Sequence, residues 1–170
     1  MNTILPTTSL NLEFAQIAWV VKDIHTTEKF FTDTMGITTF SKVATSRATD
    51  YKGTYYGVPS DGENLFSQAY SGGIFIELIQ PISGNSVFMD YLNKNPAGGI
   101  QHYAYRIPIA KLNEVIAAFA EKGFPVVSRF DTSIADIIFF DTTKEIGVMT
   151  EIMGITNEGE KAIQQMKAGS

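Results

Sequence analysis

GIFIEL at residues 73–78 recurs without a gap as GVMTEI at 147–152, an offset of 74 residues. Each stretch is a short, mostly apolar run opened by glycine, and each predicts a strand. Each also holds one glutamate, Glu77 in the first and Glu151 in the second. Upstream of them, QIAWVV (16–21) aligns with HYAYRI (102–107) at an offset of 86. Both of these strands lead into a helical pattern closed by a glycine, Gly36 or Gly123, suited to a left-handed cap. Gln16 to Glu77 covers 61 positions and His102 to Glu151 covers 49, so 12 extra residues fall in the 40s-to-60s region.

The intervening segments complete the pattern. FAQIAWVV (14–21) predicts a buried strand, and Thr26 to Met35 a helix with Phe30, Phe31 and Thr34 on one stripe. ITTFSKVATS (37–46) and GTYYGV (53–58) predict two more strands, followed by GIFIELIQP (73–81), which Pro81 ends. The turn SGNS (83–86) sets Ser86 to cap a short helix presenting Phe88, Tyr91 and Leu92, and NPAGG (95–99) is a second turn. After IQHYAYRI (100–107), Pro108 suits the start of a helix with Leu112, Val115, Ile116 and Phe119 at helical spacing. FPVVSRF (124–130), DIIFFD (136–141) and GVMTEIM (147–153) read as closing strands. Glu158 to Lys167 reads as a tail helix presenting Ala162, Ile163 and Met166. The expectation is an α+β fold of two tandem βαβββ modules: an arm over 1–11, modules over 12–82 and 100–154, a connector over 83–99 and a tail over 155–170.

Composition bounds the function. With 44% hydrophobic and 18% charged residues, including 12 Phe and 7 Tyr, the chain can bury a sizeable core. The absence of cysteine excludes disulfides, thiolate zinc sites and a cysteine nucleophile. A net charge of −5 argues against nucleic acid or an anionic membrane as partner. No run is long and apolar enough to span a bilayer, and MNTILPTTSL has neither basic flank nor apolar h-region, so a cytoplasmic location is expected.

The repeat places Gln16 and His102 at equivalent points, and Glu77 and Glu151 likewise. Side chains alternate along a strand, so Gln16 shares a face with Ala18 and Val20, Glu77 with Phe75 and Ile79, His102 with Ala104, and Glu151 with Met149 and Met153. Taken singly, a strand glutamate belongs on a solvated face and a strand histidine in a structural hydrogen bond. Taken together, the four are a metal-binding set if the two halves curve toward each other. Two carboxylates neutralise a divalent ion, and an amide oxygen and an imidazole leave two octahedral positions open.

The chain also resembles the vicinal oxygen chelate superfamily, which includes glyoxalase I, methylmalonyl-CoA epimerase, extradiol dioxygenases and bleomycin resistance proteins. QIAWVVKDI (16–24) is similar to that family's opening strand, and GVMTEIMG (147–154) to its closing one. ELIQPISGNSVFMDYLNKNPAGGIQHYAYRI (77–107) is most similar to the epimerase, with Gln101 where a first histidine is common and His102 at the metal-binding second. The resemblance implies a curved mixed sheet around a central cavity with helices outside, and often a homodimer. It implies the metal ligands Gln16, Glu77, His102 and Glu151, the set of one branch of glyoxalase I.

The departures narrow the chemistry. Gln16 stands where epimerases and extradiol dioxygenases have histidine, and KGTYYGV (52–58) lacks the second epimerase carboxylate. Arg47, Lys52, Arg106 and Arg129 are candidates for gripping an anionic substrate without forming a motif. The expected function is a glyoxalase-like, metal-dependent isomerase or lyase. It would move a proton next to the carbonyl of a small oxoacyl or thiol-adduct substrate. Glu151 is the first candidate for base and Glu77 the second, and the cofactor is one divalent ion: Zn, Ni, Co, Mn or Fe. The alternative is a bleomycin-resistance-like protein that sequesters an aromatic ligand without catalysis.

Overall fold

The computed structural model describes residues 10–168, so the arm expected over 1–11 lies almost wholly outside the described residues. Ten strands form one sheet: β1 (Glu13–Val20), β2 (Ala44–Arg47), β3 (Thr54–Tyr55), β4 (Val58–Pro59), β5 (Glu63–Ser71), β6 (Ile74–Ser83), β7 (Gly99–Pro108), β8 (Val126–Asp131), β9 (Ala135–Phe140) and β10 (Met149–Ile155). The helices are α1 (Ile24–Met35), α2 (Val87–Lys94), α3 (Leu112–Glu121), α4 (Thr143–Ile146) and α5 (Asn157–Ala168). The strand order is β2-β5-β6-β1-β7-β10-β9-β8-β3-β4. β1 runs antiparallel to β7 at the centre, and each is flanked by its module's last strand in parallel, β6 or β10. Two tandem βαβββ modules thus form a curled half-barrel.

Alternation along the strands sorts the side chains between two faces. On the convex face, α1 buries Ile24 and Phe31 against Leu78, and α3 buries Leu112 and Val115 against Ile138, Phe140 and Ile152. On the concave face, α2 sets Val87 and Phe88 among Val20, Ile79, Phe139 and Met149, filling one end of the trough. Asp23 caps α1 by accepting from Thr26 N, and Gly36 ends it at φ 73°. Ser86 caps α2 through Met89 N, so SGNS acts as a capped turn. α5 packs on β10 with Gly159 against the Ile134 carbonyl, and Lys167 near its far end lies over the Tyr70 ring. None of the described helices is long and apolar enough to cross a membrane.

The first module departs from expectation in three places. Of 37–46 only Ala44–Arg47 pairs as strand. Ile37, Phe40 and Val43 instead lie against the α1 core at three-residue spacing, which no strand can present to one side. GTYYGV is a hairpin rather than one strand: Tyr56 and Gly57 both have positive φ, 47° and 77°, and Tyr55 pairs with Val58. The third strand of the module is ENLFSQAYS, β5, which the sequence reading passed over.

The extra residues of the first module serve the second. A 3₁₀ turn (Ala48–Tyr51) leaves β2 at one edge of the sheet, and β3 pairs with β8 at the other. Six residues separate Arg47 from Thr54, a reach of at most roughly 24 Å. The sheet must therefore curl far enough to bring its edges within that span. Lys52 ties this strap to Asp131 at the end of β8.

Candidate functional site

The register of the central strands puts the four predicted residues side by side. Ala18 on β1 is opposite both Glu77 on β6 and His102 on β7, while Met149, two residues before Glu151, is opposite His102 on β7's other side. Gln16, His102 and Glu151 are buried, at 3%, 0% and 4% exposure. Glu77 opens on the trough with 14% of its side chain exposed. His102 Nε2 lies 3.0 Å from Glu151 Oε2, 3.6 Å from Glu77 Oε2 and 3.4 Å from Gln16 Nε2.

A β-bulge aims the histidine. Ala18 pairs with His102 but Trp19 pairs with Ile100, leaving Gln101 as the extra residue. Gln101 is 1% exposed, and its Oε1 lies 2.5 Å from His102 Nδ1 while its Nε2 donates to Met149 Sδ. This arrangement takes the imidazole hydrogen on Nδ1 and turns the Nε2 lone pair toward the two carboxylates. Phe139 meets the His102 ring edge-on at 5.0 Å and holds it from the side.

Glu77 is tethered at both oxygens. Gln68 Nε2 donates to Oε1 at 2.8 Å and Gln16 Nε2 donates to Oε2 at 2.9 Å. Gln68 Nε2 also donates to Gln16 Oε1 at 3.2 Å, so the three side chains form one network. Burial pushes the Glu77 carboxyl up to about 7, reinforced by the Glu151 charge and opposed by His102, Gln68 and Gln16. A cluster holding two acids needs a positive charge, and one donor atom from each of Glu77, His102 and Glu151 lies within 4.8 Å of the others. These three could hold a metal ion. Gln16 turns its amide nitrogen toward Glu77 and His102 and joins as an oxygen ligand only with its amide rotated.

Gln68 and the bulge at Gln101 are the parts of this cluster to which the sequence reading gave no role. The strand beside that of Glu77 is β5, not KGTYYGV, and Gln68 stands directly opposite Glu77 on it. An amide, not a second acid, therefore occupies the place across from Glu77.

Glu77 and Glu151 lie on the wall of a cavity of about 310 Å³, whose apolar sides include Phe66, Ile79, Phe88 and Phe130. Ser46, Tyr51 and Asn64 also line it. Tyr55 and Tyr56 border a separate cavity of about 380 Å³ that Gln101 and Met149 also line. Tyr103 and Tyr105 pack on Phe14 instead. The four candidate anion-gripping cations are each paired with an acid: Arg47 with Glu63, Lys52 with Asp131, Arg106 with Glu13 and Arg129 with Asp136. His25 stands apart, 72% exposed, beside Glu28.

Comparisons with solved structures match this architecture. Methylmalonyl-CoA epimerase from Mycobacterium tuberculosis superposes with a TM-score of 0.63 at 18% identity, covering 93% of this chain and 97% of that one. A hypothetical protein from Bacillus halodurans gives 0.61 at 18% identity, over 84% of this chain and 94% of that one. A variant of the Streptomyces coelicolor epimerase in complex with 2-nitronate-propionyl-CoA gives 0.58 at 20% identity, over 84% and 94%. At these identities the likeness is one of fold, and no curated protein sequence matches the chain. The sequence model of one family matches residues 15–140, which run from within the central strand β1 to the end of β9. With its paired modules and curled sheet, the chain belongs to the Glyoxalase/Bleomycin resistance protein/Dioxygenase superfamily.

Proposed function

We propose that Gln16, Glu77, His102 and Glu151 hold one divalent cation, and that the protein is an isomerase or lyase that moves a proton next to a substrate carbonyl. The observation that carries this reading is the Glu77–His102–Glu151 cluster, its donor atoms within 4.8 Å of one another, with both acids on the cavity wall. When bound, the cation polarises a carbonyl and stabilises the negative charge that develops beside it.

The chain's own groups then divide the work. Glu77, held at both oxygens by Gln68 and Gln16, stays in place. Glu151, whose carboxylate is tied by an ion pair to His102 rather than by two amides, lines the cavity and takes the proton as the base, with Glu77 the second candidate. His102 contributes its Nε2, whose direction the Gln101 contact at Nδ1 sets. Phe66, Phe88 and Phe130 keep bulk water from the reacting carbon. The resemblance supports a homodimer in the same reading.

Elemental analysis of protein purified without chelator, alongside Glu151→Gln, tests it. A near-stoichiometric divalent ion in the wild type and lost turnover in the variant are expected. A variant that keeps both metal and turnover overturns the assignment. The aromatic walls also suit a sequestering protein, and an ion-free chain that binds aromatic ligands tightly would establish that reading instead.

A further inference from the structure

The helix α2 contributes to two cavities. Val87, Asp90, Tyr91 and Lys94, at the spacing of one helix face, line the cavity of about 380 Å³, while Phe88 turns to the one that holds Glu77 and Glu151. The two cavities share no lining residue among those described. The larger has a buried apolar part formed by Val87, Val127 and Met149, and its volume falls within the range of small-molecule pockets.

Tyrosines supply its aromatic side. The rings of Tyr55 and Tyr56 lie 4.7 Å apart with their planes at 50°, so they meet as an angled corner. Tyr91 joins them, fixed by the hydrogen bond its hydroxyl donates to the Ile100 carbonyl. Asp90 is the acid beside these rings. Tyr55 donates its hydroxyl to Asp90 Oδ2. Burial, reinforced by Asp90, holds that phenol well above its usual range, so it stays a neutral donor.

Among the described residues no lysine or arginine forms an ion pair with Asp90. Even Lys94, one turn further along α2 at the spacing where an acid and a lysine commonly pair, does not reach it. Asp141, which also lines the cavity, differs: Thr143 bonds it, and Lys144 and Lys94 act on it from a distance. A carboxylate that lacks a cation, set among tyrosine rings, suits an organic ammonium. The rings attract the positive charge and the N–H groups bond the acid.

We infer that this second cavity binds a primary alkyl or arylalkyl ammonium, with its N–H groups on Asp90, its charge against Tyr55 and Tyr56, and its apolar end on Val87, Val127 and Met149. The site is separate from the proposed ion site and stands whether or not that site holds a cation.

Calorimetry on the full chain compares 2-phenylethylamine with 2-phenylethanol, which has a hydroxyl in place of the ammonium, and with 3-phenylpropanoate. The amine should bind about tenfold tighter than the alcohol, and the carboxylate compound weakest. Asp90→Asn keeps an acceptor for Tyr55 but removes the charge, and should weaken the amine about tenfold while leaving the alcohol within about twofold. Tyr56→Asn suits the positive φ of that position and removes a ring, and should weaken the amine about threefold. Lys94→Gln removes the cation that competes from the same helix face, and should tighten the amine about twofold. The acids of the first cavity also carry charge that draws an ammonium, so the series is repeated in Glu77→Gln, where the same ratios should hold. Equal binding of amine and alcohol, a weaker amine in Lys94→Gln, or an affinity that falls with Glu77→Gln but not with Asp90→Asn overturns the inference.

Discussion

Replacing Glu77 with glutamine should make the ion-free protein more stable at neutral pH, not less. In the folded chain, burial and the Glu151 charge raise the Glu77 carboxyl from 4.5 to about 7. Between those values the folded state holds a proton that the unfolded chain has released. Stability therefore falls as pH rises from about 4.5 to about 7, and stays low above it. At about 1.4 kcal/mol for each tenfold change in proton affinity, the full penalty is about 3 kcal/mol. Glu77→Gln removes the ionisation but meets two amide donors, from Gln16 and Gln68, with a single acceptor. That mismatch costs about 1 kcal/mol, leaving a net gain of about 2 kcal/mol at pH 8. For a chain of this size the gain corresponds to a rise of about 4–8 °C in Tm. Melts followed by circular dichroism in chelator, from pH 4.5 to 8.5, read it directly, and the advantage should vanish at the acid end. A variant less stable than wild type at pH 8, or a difference that does not change with pH, would refute the account of the buried acids.

The same titration predicts that divalent-ion affinity, measured by chelator competition, rises about tenfold per pH unit up to about 7 and then levels off, because the ion must displace the Glu77 proton. Gln101→Leu frees the His102 ring and should weaken ion binding about 10–100-fold. By leaving the buried imidazole N–H without its acceptor, it should also lower the stability of the ion-free protein by about 1–3 kcal/mol. Gly159→Ala would place a Cβ 2.1 Å from the Ile134 carbonyl oxygen. It should lower stability by about 1–3 kcal/mol as α5 shifts off β10, seen as a lower Tm.

The repeat was legible because its signal lies in the central strands, which are buried on both faces and read as near-continuous apolar runs. Against that background Glu77 and Glu151 stand out, as do Gln16 and His102 at the strand openings. β5 was illegible for the opposite reason. Its cavity face carries Asn64, Phe66 and Gln68, and its helix-side face carries Leu65, Ser67 and Ala69, so polar and apolar residues mix on both sides and no alternation survives. Lining a site erased the pattern that marks a strand, and with it Gln68. The strap over 48–59 was misread because its strands are two residues long and the first of them, β3, pairs with β8, far away in sequence. Nothing local encodes that partnership.

The half-barrel's two outermost strands are stubs. β2 is four residues long, and β4 is two residues long and ends in Pro59, which has no backbone N–H to give. Neither offers a template on which another chain could extend the ladder, so the ten-stranded sheet is guarded against fibrous growth at both margins. Any second copy that binds must then be held by side chains meeting across a surface, and its register is set by their shapes rather than by a continuous run of peptide groups.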